Sequence, residues 1–561
     1  MEKRLLVAIV LSFAVLVGYQ LLFVKKAPEI QTKPQTATET QVPFSNANAP
    51  AKIAEKPTTT PSSPSSAVPS SKPSASVGET NVGVETSVFK AVWSNKGGVL
   101  RSWQLKTHFD DKKQPLELVP KAAEKLGLFP FALVEDTGST LPSLDFAALQ
   151  ADALNAALYE TSATDLRLKD GEKGEIRFRY SDGKDLEVEK AYGFTGGRYD
   201  FQVDIKVLRG GKRIEPKILW GPGIGNPTPK ELTRSFGTGG GMTALAADNV
   251  VRLDDRKFKP EQSVVNFITW VAYDDNYFCA LFLPADGNGA AALLRKDVET
   301  EALFFLTVSR PGRAFIGPKD YDILAAFGRN AKKLIRFGTF GIFAEILFAT
   351  IKAIHKVVPN WGWAIIILTL ITKIIFFPLT YSSTKSMSKM AELQPKIKAL
   401  RNKYKNAKRD IAQRRQMNEE MMKLYKENGV NPAGGCLPLL IQIPFFFGIF
   451  SMLRSAIEFR QSPWMLWIGD LSVRDPYYVT PILMGITQFI SQKMTPTSAD
   501  PSQARMMLIM PFIMTIFFMN FQSGLVLYWL TSNVLQIGQQ YIMNGMMKKK
   551  KSESHGKPRK K

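Results

Sequence analysis

The longest uncharged stretch of this 561-residue sequence covers residues 506–547, which are 42 residues without a charged side chain. A transmembrane helix needs about 20 predominantly apolar residues to cross roughly 30 Å of hydrocarbon. The stretch is therefore long enough for two spans, with a break near Asn520, Gln522 and Gly524. It predicts a polytopic α-helical membrane protein.

Four further stretches have the length and composition of spans. Residues 5–24 carry no charge and follow Lys3 and Arg4, so we interpret them as an uncleaved anchor, with a cleaved signal peptide as the alternative. Residues 361–380 carry only one charge, Lys373. The six predicted spans are 5–24, 361–380, 436–454, 476–493, 505–521 and 525–544.

The distribution of positive charge predicts the orientation of these spans. Residues 381–435 contain 13 Lys and Arg against five acids, and residues 548–561 contain eight against one. Cytoplasmic loops carry such an excess, so the 381–435 segment, the 494–504 loop and the 545–561 tail belong inside. The nearly balanced 455–475 loop belongs outside. Residues 1–4 then lie in the cytoplasm, and everything from about 25 to 340 lies on the outer side.

The outer segment divides into a linker, a β-rich domain and a helix. Residues 25–80 are rich in Pro, Ser, Thr and Ala, a composition typical of a disordered tether. Residues 81–328 show alternating polar and apolar positions, best seen over 199–207, and predict a large all-β sandwich with one helix at 145–158. Residues 337–358 predict an amphipathic helix lying on the outer membrane surface.

The composition argues against most enzymatic chemistry. Two cysteines and three histidines leave little for a disulfide framework or a zinc site, and the motifs of zinc proteases, P-loop proteins and α/β-hydrolases are missing. The adjacent Asp274 and Asp275 would point to opposite faces of a strand. We predict a protein that is not an enzyme, with no metal and no cofactor.

Lys373 is the most informative polar residue of the spans. It lies about seven residues from the inner end of its span, so it could extend its ammonium to the interface. The alternative is a charge facing a wet cavity, because ionisable residues inside membranes usually face water or a partner. The six predicted spans contain no Asp or Glu. An unpaired cation of this kind suits a visiting anion.

The cytoplasmic segment 381–435 predicts a basic helical hairpin. Its charges, with those of the tail, suit anionic lipid or ribosomal RNA. Met507, Met510 and Met514 share one helical face, and flexible Met side chains suit either packing or a surface that accepts many sequences. The predicted capture residues are Lys385, Lys389, Lys396, Arg401, Arg414, Arg415, Lys548, Lys549, Lys550 and Lys551.

Several motifs resemble the YidC branch of the YidC/Oxa insertase family. They recur in order across about residues 340–545: QPKI at 394–397, NPAGGCLP at 431–438, LLIQIP at 439–444, DPYY at 475–478, ILMG at 482–485, QKM at 492–494 and SGLVLYW at 523–529. The anchor, tether and β domain resemble the Gram-negative form by layout. The resemblance implies a periplasmic β-supersandwich followed by a five-helix membrane core.

The resemblance also implies a groove open to cytoplasm and lipid, with a positive residue in its second segment. That residue is usually Arg, and Lys373 stands at the matching position, so the charge is kept without the planar guanidinium fork. Thr369 matches the family's groove threonine, and Tyr528 and Trp529 match its aromatic pair. The predicted groove residues are Lys373, Thr369, Gln442, Tyr528, Trp529, Ser532 and Gln536. Met507, Met510 and Met514 would form the face along which a client segment slides.

From this resemblance we expect an insertase and chaperone of the Gram-negative inner membrane. Its partners would be nascent integral membrane proteins, the Sec translocase with its accessory subunits, the ribosome and anionic lipids. Two other classes remain as alternatives. One is a solute transporter or channel, which would usually need a carboxylate relay. The other is a membrane-anchored periplasmic glycan-binding or glycan-cleaving protein, in which the β domain would act alone.

Overall fold

The computed structural model of the protein describes residues 78–135, 146–226, 240–260, 263–298, 301–404, 410–430, 437–495 and 501–555. The side chains of 437–440, 501–506 and 547–555 are outside this description. The predicted anchor 5–24 and nearly all of the predicted linker 25–80 also lie outside the described residues. Within them, a β-rich part is followed by a helical part.

The β-rich part begins with a five-stranded sheet in the order β4-β3-β2-β1-β7. The β1–β7 pair is parallel, and the other pairs are antiparallel. The strands are β1 (Asn81–Glu85), β2 (Phe89–Ser94), β3 (Val99–Phe109), β4 (Pro115–Glu117) and β7 (Asp165–Arg167).

A second sheet has 14 strands, with β5-β12-β18-β17-β15-β16-β19-β10-β9-β8-β6 as its main path. Its strands are β5 (Ala132–Val134), β6 (Glu160–Thr161), β8 (Lys173–Ser181), β9 (Leu186–Thr195), β10 (Asp200–Arg209), β11 (Lys212–Ile214), β12 (Lys217–Trp220), β13 (Gly241–Ala246), β14 (Asn249–Asp254), β15 (Val264–Asp274), β16 (Phe278–Pro284), β17 (Gly289–Val298), β18 (Glu301–Ser309) and β19 (Pro311–Pro318).

Aromatic side chains join the two sheets. Trp93 of β2 lies 4.1 Å, between ring centroids, from Tyr192 of β9, and Trp103 of β3 lies 5.4 Å from Phe201 of β10. Strand β10 alternates as its sequence predicts, with Phe201 and Val203 buried and Gln202 exposed. The alternation arises because successive side chains of a strand point to opposite faces.

The single helix predicted at 145–158 is wrong. Two short helices, α2 (Phe146–Ala151) and α3 (Ala153–Ala156), lie there, together with α1 (Lys121–Leu126) earlier in the chain. The break occurs because the Asp152 side chain caps α3 by accepting a hydrogen bond from the Leu154 backbone N–H. An Asp that bonds the nearby backbone favours a helix start over a helix interior.

The helical part follows the last strand. Its helices are α4 (Tyr321–Phe327), α5 (Gly341–Val357), α6 (Trp361–Glu392), α7 (Gln394–Lys403), α8 (Ile411–Glu427), α9 (Leu437–Ser455), α10 (Val479–Met494), α11 (Pro501–Phe518) and α12 (Ser523–His555). Among the described helices, α6 alone is long and apolar enough to cross a membrane by length and composition. Ile441–Ser455 and Met507–Phe518 are shorter apolar segments. The count of six spans therefore stays a prediction.

Helix α5 has two apolar faces. Leu347, Phe348 and Ile351 are buried and pack towards the other helices, including α9. Ile342 and Val357, at 77% and 81% exposed, belong to the opposite face, which has no protein cover in the described part of the chain. This is the apolar face that the sequence predicts for a helix on the outer membrane surface.

Hydrogen bonds join the β-rich part to the helical part. Asn276 donates to the Arg454 carbonyl over 3.0 Å, and the neighbouring Ser455 donates to the Arg336 carbonyl, between α4 and α5, over 2.9 Å. Arg460 and Gln461 each donate to the Phe109 carbonyl over 2.9 Å. The end of α9 and the segment that follows it therefore contact the β-rich part.

Candidate functional site: a polar cluster between helices

Lys373 of α6 reaches across to α12. Its Nζ donates a 2.9 Å hydrogen bond to Oε1 of Gln536, and both side chains are half-buried. Asn360 caps the start of α6 by accepting from the Trp363 N–H, and the helix then continues without interruption past Lys373 and Pro378. Within the part of the chain that the structure describes, Lys373 has no ion-pair partner. Its charge is therefore met by a neutral amide.

Three further polar contacts join neighbouring helices around α12. Trp529 Nε1 donates to Gln488 Oε1 of α10 over 3.1 Å. Asn533 Nδ2 donates to the Met484 carbonyl of α10 over 3.1 Å. The side chains of Tyr528 and Gln442, on α12 and α9, also share a hydrogen bond. We call Lys373, Gln442, Gln488, Tyr528, Trp529, Ser532, Asn533 and Gln536 the polar cluster.

Aromatic rings enclose one side of the polar cluster. The Trp529 ring lies 5.0 Å from Phe446 of α9 and 4.9 Å from Phe518 of α11, measured between centroids. Tyr528 is buried, whereas Trp529 and Ser532 are half-buried. Since Trp529 contacts three different helices, it fixes the position of α12 against α9, α10 and α11.

Thr369, which the sequence places among the groove residues, is buried in the structure. It is 0% exposed, and its hydroxyl donates to the Ile365 carbonyl of its own helix over 2.6 Å. The carbonyl of Thr369 in turn accepts from the Thr372 hydroxyl over 2.8 Å. Thr369 therefore packs beside the polar cluster rather than presenting its hydroxyl at an accessible surface.

The predicted sliding face of α11 is half-buried. Met507, Met510 and Met514 all face partly inwards, and Met514 packs against the hydrophobic core. The outward face carries other residues: Leu508, Ile509, Phe512, Ile513, Ile516 and Phe517 are exposed. The apolar surface of α11 that a membrane segment could touch is thus mainly aliphatic and aromatic.

The predicted capture residues are spread over four helices. Lys385 and Lys389 are exposed on α6, which continues to Glu392 rather than ending at residue 380. Lys396 and Arg401 are exposed on α7, and Arg414 is exposed on α8. Arg415 is also exposed and pairs with Glu419 over 3.3 Å. The backbone of Lys548, Lys549, Lys550 and Lys551 belongs to α12.

The basic hairpin, which α7 and α8 form with the end of α6, has its own small core. Met390, Leu393, Ile397 and Val430 are buried, and Met421, Leu424 and Tyr425 pack against them. This brings the end of α6 together with α7 and the end of α8. The basic side chains remain on the outside of the hairpin because the apolar ones fill its centre.

Sequence reasoning identified Lys373 and Gln536 separately but not as a pair. Gln488 and Asn533, two polar residues within apolar stretches, are not among the predicted groove residues. The signal for both was present, because a polar side chain in an otherwise apolar span usually has an interhelical partner. What the sequence lacks is the partner's identity.

Two family models match the chain. One, described as 60Kd inner membrane protein, covers residues 353–551, and the other, described as YidC periplasmic domain, covers residues 81–350. Proteins named membrane protein insertase YidC are similar over almost the whole chain. Those of Syntrophus aciditrophicus (strain SB) and Geotalea daltonii (strain DSM 22248 / JCM 15807 / FRC-32) are each 37% identical over 97% of this chain and 99% of their own length.

A solved structure also matches. It is a crystal structure of an active YidC insertase with the first transmembrane domain resolved, at 20% identity and a TM-score of 0.36. The match covers 83% of this chain and 93% of that chain.

Proposed function

The chain belongs to the YidC family of membrane protein insertases, and from this premise we propose that it inserts and helps fold integral membrane proteins in the bacterial inner membrane. The observation that carries the proposal is the Lys373–Gln536 pair. It is a positive charge on an apolar helix that is held by a neutral group, and it is therefore available to attract an acidic client tail.

The proposed topology has six spans, with both termini, the basic hairpin and the tail in the cytoplasm. The β-rich part lies in the periplasm. Three features support this: the two basic segments, the exposed apolar face of α5, and the ring contact of 6.1 Å between Trp363 and Trp464 near the start of α6. Aromatic residues gather at membrane interfaces, so these two rings support the proposal that the start of α6 lies at the outer interface.

The proposed mechanism needs no nucleotide. A client's polar tail enters the polar cluster from the cytoplasm, while its apolar segment moves out along the exposed surface of α11. An apolar residue gains about 0.3–0.6 kcal/mol at the centre of a span, and a charge costs about 2.5–3.5 kcal/mol. One apolar segment therefore outweighs one or two translocated charges. Clients with many charges would need the Sec translocase, which we propose as a partner.

The basic hairpin and tail would receive the client before insertion. The exposed Lys and Arg of the hairpin and the net positive charge of the tail suit ribosomal RNA and anionic lipid headgroups, which both offer dense negative charge. The shallow depression on α8 lined by Ile411, Arg415, Asn418 and Met422 adds apolar surface beside that charge. We propose that this combination holds a client segment that is both apolar and flanked by acids.

Site-specific photo-crosslinking tests the proposed function. A crosslinker at Ser532, which is half-buried in the polar cluster, should capture the tail of a membrane protein stalled on the ribosome. A matched crosslinker at Phe267, which is 72% exposed on β15, should capture none. Capture from Phe267 with none from Ser532 would instead place client binding in the β-rich part.

A further inference from the structure

We propose that Lys373 and Gln536 together form a two-point binding site for a single carboxylate, in which the lysine supplies the charge and the glutamine amide supplies a second donor. The inference deepens the proposed function and rests on it, because the carboxylate would be an Asp or Glu side chain of a translocating client tail. If the proposal is correct, Gln536 contacts the client and contributes to its selection.

The geometry of the pair fixes which atoms are available. The ammonium of Lys373 has three N–H donors, and one of them goes to Gln536 Oε1 over 2.9 Å. Because an ammonium has no acceptor, this contact orients the amide with its oxygen towards Lys373 and its Nε2 beside it. Among the residues that the structure describes, Gln536 makes no other hydrogen bond. Two N–H donors on each side chain thus remain for a visitor.

Together, Lys373 and Gln536 supply the two N–H donors that a single arginine would supply. A guanidinium grips both oxygens of a carboxylate with two parallel N–H groups of one planar fork. A lysine is a point charge and offers no such fork. With the Gln536 amide held beside it, however, one carboxylate oxygen can bind Nζ while the other binds Nε2. The pair therefore restores two-point recognition at a position occupied by lysine.

The surroundings of the pair favour an anionic visitor. No ion-pair partner for Lys373 occurs in the described ranges, and the five predicted spans after residue 360 contain no Asp or Glu. Both side chains are half-buried, so they are accessible but partly removed from water. Hydrogen bonds to a charged group are stronger in such surroundings than in water. Because Lys373 and Gln536 belong to α6 and α12, a bound carboxylate would bridge these two helices.

A purely structural role for Gln536 makes a different prediction. If the amide only satisfies the buried side of the ammonium, replacing it by a carboxylate should be harmless, since an ion pair satisfies Lys373 at least as well. If the pair instead binds client carboxylates, the introduced carboxylate would occupy the site and exclude the client. Gln536→Glu therefore separates the two roles, and Gln536→Leu removes the second donor without adding charge.

The experiment uses the full-length protein in proteoliposomes and one client whose tail carries zero, one or three acids. Gln536→Leu should lower insertion of the acidic tails by roughly tenfold, the effect of losing about 1.4 kcal/mol of a charge-assisted hydrogen bond. Gln536→Glu should lower it at least as much. Insertion of the neutral tail should fall less than insertion of the acidic tails in both variants, because it loses no carboxylate contact. Lys373→Arg combined with Gln536→Leu should restore insertion of the acidic tails, because the arginine side chain itself supplies a second N–H donor.

Wild-type insertion of acidic tails by Gln536→Leu, or by Gln536→Glu, would overturn the two-point site while leaving the proposed function intact. Failure of the wild-type protein to insert even the neutral tail would instead overturn the proposed function itself. Thermal unfolding of each variant in detergent, measured beside the insertion assay, identifies any loss that arises from misfolding. The double variant is the decisive test of the two-point site. If it is folded and again inserts clients with acidic tails, the site is supported.

Discussion

At the scale of single residues, Lys373 shows how one charge is tolerated on an apolar helix. It bonds a neutral amide from another helix instead of a carboxylate, so its positive charge is solvated but not cancelled. A neutralised lysine would leave an acidic tail nothing to be attracted to. The absence of a carboxylate from the predicted spans is thus as important to the proposed function as the lysine.

Changing the sign of this charge should have a larger effect than removing it. We expect Lys373→Arg to be tolerated, Lys373→Ala to be impaired and Lys373→Glu to be the most harmful. Two unit charges about 4 Å apart interact with around 4 kcal/mol at an effective dielectric near 20, so reversal turns attraction into repulsion. The measurement is insertion of clients with increasing tail acidity at matched protein levels. If the Glu variant inserts all clients of that series equally, the alternative is supported, namely that Lys373 only extends its ammonium to the membrane interface.

Glu458 is a buried acid outside the predicted spans, in the turn that follows α9. Burial, with a smaller contribution from the nearby Asp320 and Asp322, raises the pKa of its carboxyl to about 7, although Lys352 acts in the opposite direction. Its Oε1 atom has no hydrogen-bond partner among the described residues. Ionising this carboxyl in the folded protein is therefore costly.

The pH dependence follows from the sign of that shift. The folded state keeps the Glu458 proton up to about pH 7, whereas the unfolded chain releases it near 4.5, so the free energy of unfolding falls as pH rises between these values. We expect Glu458→Gln to raise the stability at pH 8 by roughly 1–3 kcal/mol and to have little effect at pH 4. Denaturant unfolding of both proteins across this range measures the difference. A constant difference at every pH would contradict the assignment.

At the scale of secondary-structure elements, α6 depends on close packing at its N-terminal end. Gly362 is buried in the first turn, and a Cβ added there would overlap the indole ring of Trp464. Asn360 strengthens the same contact by donating to the Trp464 carbonyl over 3.2 Å. A glycine is needed here because the loop after α9 passes directly over the start of the helix.

Adding one methyl group at this contact should therefore destabilise the protein. We expect Gly362→Ala to cost about 1–3 kcal/mol, the usual range for overpacking. Gly538→Ala on α12 is the matched control, because nothing lies within 4 Å of the added Cβ and alanine favours a helix by about 0.5–1 kcal/mol. Thermal unfolding in detergent compares the two variants. Equal stability of both would mean that Trp464 moves aside freely.

Helix α12 is a single element of 33 residues and includes the predicted last span and the start of the basic tail. At 1.5 Å per residue its length is about 50 Å, which exceeds the roughly 30 Å of hydrocarbon. In the proposed topology its last turns project into the cytoplasm as a rigid extension. The basic run at 548–551 would then lie beyond the hydrocarbon, on the cytoplasmic side.

The tail should bind ribosomes through charge rather than through a folded surface. Deleting residues 548–561 should weaken ribosome association strongly, with a smaller effect on insertion of short clients that have already been released. Changing Lys548, Lys549, Lys550 and Lys551 to Gln should reproduce most of that loss, because the release of counterions drives such binding. Co-sedimentation at several salt concentrations is the measurement. Ribosome binding that changes neither with salt concentration nor with deletion of the tail would contradict the proposal.

At the scale of the whole molecule, a buried ionic network supports the side of the β-rich part that faces the helices. Asp274 is fully buried; its carboxylate pairs with Lys319 over 2.8 Å and with Arg336 over 3.3 Å. Burial opposes the ionised form, but these two cations hold the Asp274 pKa below its usual value. Arg336 also presents its carbonyl to Ser455, so the network lies beside the junction between the two parts.

The polar cluster lies on α6, α9, α10 and α12 and includes no residue of the β-rich part, so the β-rich part should be dispensable for insertion. We expect a protein lacking about residues 81–320, but retaining the N-terminal segment and α5, to insert clients at most of the wild-type rate with reduced thermal stability. Insertion into vesicles and unfolding in detergent provide the two readouts. Complete loss of insertion by a stably expressed deletion would move the function into the β-rich part and favour the glycan alternative.

Much of the architecture could be predicted because it depends on local patterns. The period-two alternation in β10 follows from neighbouring residues, and the structure confirms it. The family could be recognised for a similar reason, since its motifs are short and contiguous. The amphipathic character of α5 was equally visible, because residues 342, 346, 349, 353 and 357 follow helical spacing.

The sequence by itself determined where charge, apolar length and alternation lie along this chain. Only the tertiary structure decided that Lys373 meets Gln536, which is 163 positions away, that Thr369 is buried, and that the three methionines of α11 turn partly inwards. It also decided that Asp152 breaks the helix predicted at 145–158. The physical reason is that periodicity is set by neighbours, whereas a partner across the fold is chosen by packing and by the need of each buried polar group for a hydrogen bond.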